Sequence, residues 1–217
     1  MENINWSELG FSYMKTNGNV RCEYHNGSWG NLEWHTNEYI NMHMAATALH
    51  YGQEIFEGLK AYRTEDGRIV TFRPDLNAER MVDSAKRLEM PTFPVDRFVE
   101  AVEQVVAANA DFVPPYGSGA TMYLRPYMFG SNPVIGVKPA TEYQFRIFVT
   151  PVGPYFKGGF STNPYVIIRE YDRSAPLGTG IYKVGGNYAS SMLSCQEVLP
   201  FSLWSLPRWV FRWLWRE

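Results

Sequence analysis

Between residues 74 and 149 the apolar side chains of this sequence change their spacing, from the 3.6-residue period of a helix to the two-residue period of a strand. Leu76, Met81, Val82, Ala85 and Leu88 recur at helical spacing after Pro74 and Asp75, a pairing suited to a helix start, and Pro91 stops the segment. A second helix is predicted from about 94 to 112, with Phe98, Ala101, Val102, Val105, Ala108 and Phe112 on one face. Past Pro114-Pro115-Tyr116-Gly117 the pattern alternates, through Met122 and Leu124 and again through Tyr143, Phe145, Ile147 and Val149, as half-buried strands require. Such a succession predicts an α+β domain.

The flanks extend this plan. Residues 20–24 and 39–44 are strand candidates in a stretch broken by Gly, Asn and Trp. Ala61-Tyr62-Arg63, the turn Glu65-Asp66-Gly67 and Arg68-Ile69-Val70-Thr71-Phe72 predict a β-hairpin, Asp-Gly being a strong turn signal. Glycines and prolines at Pro151, Gly153, Pro154, Gly158, Gly159 and Pro164 predict a linker over 153–164. Beyond it a short buried strand is expected at 166–168, a Gly-rich loop over 174–186 and a helix over 187–199.

Composition excludes several classes. Twenty basic against 22 acidic side chains leave a formal charge of −2 in 217 residues, without a run of like charges, so nucleic acid finds no electrostatic footprint. Cys22 and Cys195 make neither a disulfide framework nor a CxxC metal pair, and His25, His35, His43 and His50 lack metal-ligand spacing, so no metal is expected. The start Met1-Glu2-Asn3-Ile4-Asn5-Trp6 lacks the basic and apolar regions of a signal peptide, and the expected location is the cytoplasm.

Chemistry concentrates in Gly178-Thr179-Gly180-Ile181-Tyr182-Lys183-Val184-Gly185-Gly186-Asn187-Tyr188. A Walker loop needs Gly-Lys-Ser/Thr, and a dinucleotide fingerprint needs a third glycine where Lys183 stands, so neither fits. What remains is a lysine among apolar and aromatic neighbours, which desolvation turns into a nucleophilic amine. On the residues alone, a Schiff-base lysine and a solvated loop lysine both stay open. In Tyr123-Leu124-Arg125-Pro126-Tyr127, alternation puts Tyr123, Arg125 and Tyr127 on one face; an anion-binding arginine and a surface ion pair on an edge strand marked by Pro126 are the alternatives. Arg80, mid-helix, reads by itself as part of a solvated face.

These segments, taken in order, resemble one family. His50-Tyr51-Gly52 through Phe56-Glu57-Gly58-Leu59-Lys60-Ala61-Tyr62, Phe72-Arg73-Pro74 with Asn77-Ala78-Glu79-Arg80-Met81, Tyr123-Leu124-Arg125-Pro126, Pro151-Val152-Gly153-Pro154-Tyr155-Phe156 and Lys183-Val184-Gly185-Gly186-Asn187-Tyr188 are similar to the ordered motifs of branched-chain amino acid aminotransferases, the fold type IV enzymes that use pyridoxal 5′-phosphate. The resemblance covers about residues 10–197. It implies that Lys183 is the Schiff-base lysine and proton carrier, Arg80 the grip on the cofactor phosphate and Tyr188 a tyrosine beside the cofactor. It also implies that Tyr51, Phe56, Tyr123 and Tyr155 line the substrate side-chain pocket and that Arg125 belongs to the substrate-carboxylate region. Tyr13 is a weaker match to a pocket aromatic. The implied partners are amino acid and 2-oxo acid substrates, and the implied assembly is a homodimer. Aromatic rings suit Leu, Ile and Val, which offer only methyl groups for recognition, whereas 2-oxoglutarate needs a cation or hydrogen-bond donors. D-amino acid aminotransferases and aminodeoxychorismate lyases share the fold, but Tyr123-Leu124-Arg125-Pro126 and the long N-terminal segment favour the branched-chain group.

The implied layout is an N-terminal mixed α/β domain over 1–157, the start of a second, cofactor-binding α/β domain over 158–200, and a tail over 201–217. After Cys195-Gln196-Glu197 the resemblance stops, and four of the 7 tryptophans (Trp204, Trp209, Trp213, Trp215) fall in the last 14 residues. The family's Glu-x-Gly-x-x-Asn segment, whose acid pairs with the pyridine nitrogen, is expected downstream of this point. The abrupt change favours a non-native end. An interfacial helix with Arg208, Arg212 and Arg216 on one face, too short and too charged to span a membrane, and a helix covering bare surface are the other readings of the tail. A fragment that only binds a partner is the non-enzymatic alternative.

Overall fold

The computed structural model describes residues 4–154, 177–194 and 196. The predicted linker from residue 155 on, the strand at 166–168, Tyr155, Cys195 and the tail lie outside the described residues. Within them, strands β1 (Asn19–His25), β2 (Ser28–Trp29) and β3 (Glu33–His35) are followed by a short helix α1 (Thr47–Tyr51) and strands β4 (Glu54–Phe56), β5 (Leu59–Arg63) and β6 (Ile69–Thr71). Helices α2 (Pro74–Arg87) and α3 (Val95–Ala108) come next, then the long strands β7 (Thr121–Gly130) and β8 (Tyr143–Val152), and finally α4 (Gly186–Ala189). All strand pairs are antiparallel in one sheet of order β2-β1-β8-β7-β5-β6, with β3 beside β1 and β4 beside β7.

The alternation read from the sequence decides which face is dry. Met122, Leu124 and Met128 of β7, Phe145, Ile147 and Val149 of β8, Val20 and Cys22 of β1 and Ile55 of β4 all point to one side. There they meet Ala78, Met81 and Ala85 of α2 and Phe98, Ala101, Val102 and Val105 of α3. Burying such side chains is worth roughly 1.5–3 kcal/mol each, and this layer holds the domain together. The other face carries the chemistry: Glu54, Phe56, Tyr123, Arg125, Tyr127, Arg146 and Phe148 alternate onto it by register.

The predicted hairpin is β5–β6, closed by Gly67 at φ 84°, the left-handed region that glycine adopts without strain. Helix α2 starts with Pro74 and ends before Pro91. The second helix stops at Ala108 rather than continuing to Phe112. Buried Asn109 turns its amide onto the carbonyls of Val105 and Gly18 and accepts from the Asn17 and Gly18 amides, so its side chain competes with helix propagation; residues 110–112 form a 3-10 turn. Ala108 is exposed, and Val106 takes a core position instead.

Two further expectations are corrected. Residues 39–44 form no strand: Tyr39 and Met44 are exposed, and the Asn37 side chain accepts from the Tyr39 amide in a local turn. The missing strands are β2 and β3, which fold back onto β1 through Asn26-Gly27, both with positive φ. Nor is Pro126 on an edge. It sits in the interior strand β7, where its carbonyl accepts from the Glu57 amide at 2.7 Å, so the N–H it lacks falls opposite the break between β4 and β5. No ion pair of Arg125 occurs among the described residues.

Candidate active site

The break opposite Pro126 builds the first half of the site. With β4 ended at Phe56, Glu57 turns inward and is fully buried. Its carboxylate accepts from Arg80 Nε and Nη2, both at 2.7 Å, from Asn77 Nδ2 at 2.8 Å and from the Gly58 amide at 3.3 Å. A buried carboxylate is tolerable only when so bonded. The pair in turn fixes Arg80, half-exposed on α2, in one rotamer and raises its guanidinium further above its ordinary value through that hydrogen bond. Arg80 Nη1 makes no bond among the described residues and lies on a side chain within electrostatic reach of Tyr188.

The second half comes from the Gly-rich loop. Lys183 is stitched to both earlier elements by its backbone, its amide donating to Ser84 Oγ of α2 at 3.0 Å and its carbonyl accepting from the Phe56 amide at 3.1 Å; Val184 bridges Ile55. Asn187 holds the preceding loop, donating to the carbonyls of Thr179 and Tyr182 and accepting from Thr179 Oγ1. The described helix begins at Gly186, one residue before the expected position, and 192–194 and 196 are also helical.

Three side chains converge on Phe56. Lys183 Nζ lies 4.4 Å from its ring centroid and donates to Tyr188 Oη at 2.8 Å, and the Tyr188 ring packs on Phe56 at 4.8 Å. On the other side the Arg125 guanidinium sits 4.7 Å from the same centroid and donates from Nε to Tyr123 Oη at 3.1 Å. Gly58 keeps room for that hydroxyl, since a Cβ there would stand 2.5 Å from Tyr123 Oη. Burial raises the Glu54 carboxyl above its usual value, with Arg125 pulling the other way.

Lys183, Tyr188, Phe56, Tyr123 and Arg125 are thus brought together, and Arg80 reaches the same end of the sheet. Tyr51 is not in that group. It is exposed, and its hydroxyl donates to the Ile135 carbonyl in a loop where Ile135 and Val137 are also exposed. The Tyr13 ring meets Phe148 edge-on at 5.9 Å, and Phe148 is the register partner of Arg125. Glu57, Ser84 and Asn187 are the positions whose roles spacing does not reveal. Among the described residues no group of His, Cys, Asp or Glu is arranged to hold a metal.

Partial burial and the hydrogen bond to Glu38 push the Tyr13 phenol from 10.0 up to about 12. A raised folded value means that this contact contributes its full stability below pH 10 and loses it as pH rises through about 12. Spectrophotometric titration of Tyr13→Phe is expected to remove a phenol ionising near pH 12; loss of one ionising near pH 10 would contradict the geometry.

No family model matches the chain. It is similar to the branched-chain-amino-acid aminotransferase of Haemophilus influenzae, 51% identical over 193 residues that make up 89% of this chain and 56% of the relative. The Helicobacter pylori protein of the same name is 46% identical over 195 residues, 89% of this chain and 57% of the relative. Among solved structures, the Escherichia coli branched-chain amino acid aminotransferase superposes with TM-score 0.65 and 28% identity over 82% of this chain and 55% of that one. A second E. coli structure of the same enzyme superposes with TM-score 0.60 and 27% identity over 84% and 55%. A further branched-chain amino acid aminotransferase, from T.th. and solved with pyridoxamine 5′-phosphate, superposes with TM-score 0.64 and 25% identity over 88% and 58%. The chain spans a little over half the length of the curated relatives it matches.

Proposed function

From the premise that this chain belongs to the branched-chain amino acid aminotransferase family, fold type IV, and carries part of such an enzyme, we propose that it contributes to amino-group transfer between Leu, Ile or Val and 2-oxoglutarate. The observation that carries this is the contact of Lys183 Nζ with Tyr188 Oη over the face of Phe56.

The residues fit pyridoxal 5′-phosphate. Arg80 is held by a buried carboxylate with Nη1 left over for a phosphate oxygen, and the Lys183 amine stands beside a phenol and an aromatic ring. When bound, the cofactor supplies an aldehyde for the amine and an electron sink for the bond to be broken. Lys183 would hold it, and its amine, once displaced by the substrate's amino group, would take the proton from the substrate Cα. Tyr188 orients that amine through the 2.8 Å hydrogen bond. Phe56 and Tyr123 present apolar surface to a branched side chain. Arg125, without an ion pair among the described residues, holds the substrate-side carboxylate.

In this reading 1–157 form the first domain and 158–200 begin the second. Tyr155 belongs with the side-chain pocket. Tyr51, with Ile135 and Val137, lies on an exposed patch that suits a neighbouring subunit of a cytoplasmic homodimer. Among the described residues no helix is long and apolar enough to cross a membrane.

Because the matched part is 56% and 57% of the two bacterial relatives, the 217-residue chain by itself is expected to turn over leucine and 2-oxoglutarate at least a hundredfold more slowly than the H. influenzae relative. A coupled assay on both proteins checks this, and equal rates would refute it.

A further inference from the structure

Two strands from Lys183, the open face of the sheet holds cations that the proposed reaction does not use. Arg21 of β1 stands directly opposite Arg146 of β8, and Arg146 stands opposite Tyr127 of β7, so the three side chains form a row on one face. Like charges opposed across strands destabilise a sheet. Arg146 is only 6% exposed, yet its Nε and Nη2 both donate to the neutral Gln144 Oε1, and its Nη1 has no partner among the described residues. Among the described residues Arg21 likewise bonds only neutral oxygens, Asn19 Oδ1 and the carbonyls of Asn37 and Tyr39.

No carboxylate among the described residues is in ion-pair contact with either arginine. Glu38 is taken by Lys15 and Tyr13, and Glu23 acts on Arg146 only at longer range. Burial and the neighbouring Arg21 both lower the Arg146 guanidinium from its ordinary value. A buried cation without an anion is costly, and buried charges are as a rule paired.

The space for that anion is a cleft of about 360 Å³ between these arginines and the rings of Tyr13, Tyr127 and Phe148. Tyr13 and Tyr127 both meet Phe148 edge-on, at 5.9 and 6.0 Å, which makes one apolar wall. Glu38 lines the cleft as its one acid among the described residues. Two guanidinium groups suit a carboxylate, the wall suits an apolar body, and Glu38 opposes a second negative charge. We propose that this cleft is a binding site for a small monocarboxylate with an apolar body, separate from the pocket at Lys183 and independent of any cofactor.

Phenylacetate, with phenylacetamide as its neutral counterpart and inorganic phosphate as an anion lacking the apolar body, is titrated calorimetrically into the 217-residue chain without added cofactor. Phenylacetate is expected to bind in the chain itself and equally in Arg87→Met, which removes an exposed arginine outside the cleft, at least tenfold more tightly than the amide or phosphate. Arg146→Met is expected to lose at least tenfold in affinity while melting no lower than the original chain, because it removes an unpaired buried charge. Arg21→Gln, at a more exposed position, is expected to weaken binding severalfold without loss of the fold. Affinity unchanged in both Arg146→Met and Arg21→Gln, an equal loss of binding in Arg87→Met, or phosphate binding as tight as phenylacetate would overturn the assignment.

Discussion

Lys183→Ala is expected to leave the chain with no lysine-linked pyridoxal phosphate, read as complete loss of the visible absorbance that the original chain develops when mixed with the cofactor. The amine that donates to Tyr188 Oη is the nucleophile of the site. Arg125 shares the Phe56 ring, but a guanidinium is neither nucleophilic nor basic enough to substitute. Exchange of the leucine α-proton with deuterated water, which needs only the amine and the cofactor, is expected to fall by about two to four orders of magnitude. Retention of both the band and the exchange would remove Lys183 from the site. Because its side chain is part-exposed and its anchoring runs through its backbone, the variant is expected to fold normally.

Glu57→Gln has the second large effect, and it separates stability from cofactor binding. The carboxylate accepts four hydrogen bonds with no exposure to solvent, two of them from Arg80. An amide can accept from one side only and must place its own N–H₂ against the guanidinium. Breaking a buried ion pair costs about 3–5 kcal/mol, and the half-exposure of Arg80 reduces that to about 2 kcal/mol. Denaturant unfolding checks that figure. Freed from Glu57, Arg80 samples several rotamers, and the affinity for pyridoxal phosphate is expected to drop about tenfold, the loss of roughly one charge-assisted hydrogen bond, whereas affinity for pyridoxal, which lacks the phosphate, is expected to change little. Equal losses for both compounds would mean that Glu57 supports the fold and does not position Arg80.

How much of this was legible in the chain depends on the range of each cause. The hairpin β5–β6, helix α2 and the strands β7 and β8 follow from local signals: Asp66-Gly67, Pro74 before a helical period, and strict alternation. Strands β2 and β3 are only two and three residues long, too short for periodicity, although Asn26-Gly27 is itself a hairpin signal. The stretch 39–44 has apolar residues but no partner strand, and side-chain chemistry at Asn37 decides its path.

The candidate site divides the same way. Lys183 and Tyr188 share one motif, and their spacing of five residues survives as a direct contact. Glu57 and Arg80 are 23 residues apart, and Ser84 and Lys183 are 99 apart, so those bonds exist only after α2 docks on the sheet. Arg21 and Arg146 face each other because β1 inserts beside β8, a register that no local pattern encodes.

The central claim is that Lys183, and no other lysine, carries the cofactor. Incubating the 217-residue chain with pyridoxal 5′-phosphate, reducing with borohydride and mapping the peptides by mass spectrometry tests it directly. A phosphopyridoxyl mass on the peptide containing Lys183, with Lys15, Lys60, Lys86, Lys138 and Lys157 unmodified, is the result expected. A label spread over those other lysines, or none on Lys183, would contradict the account.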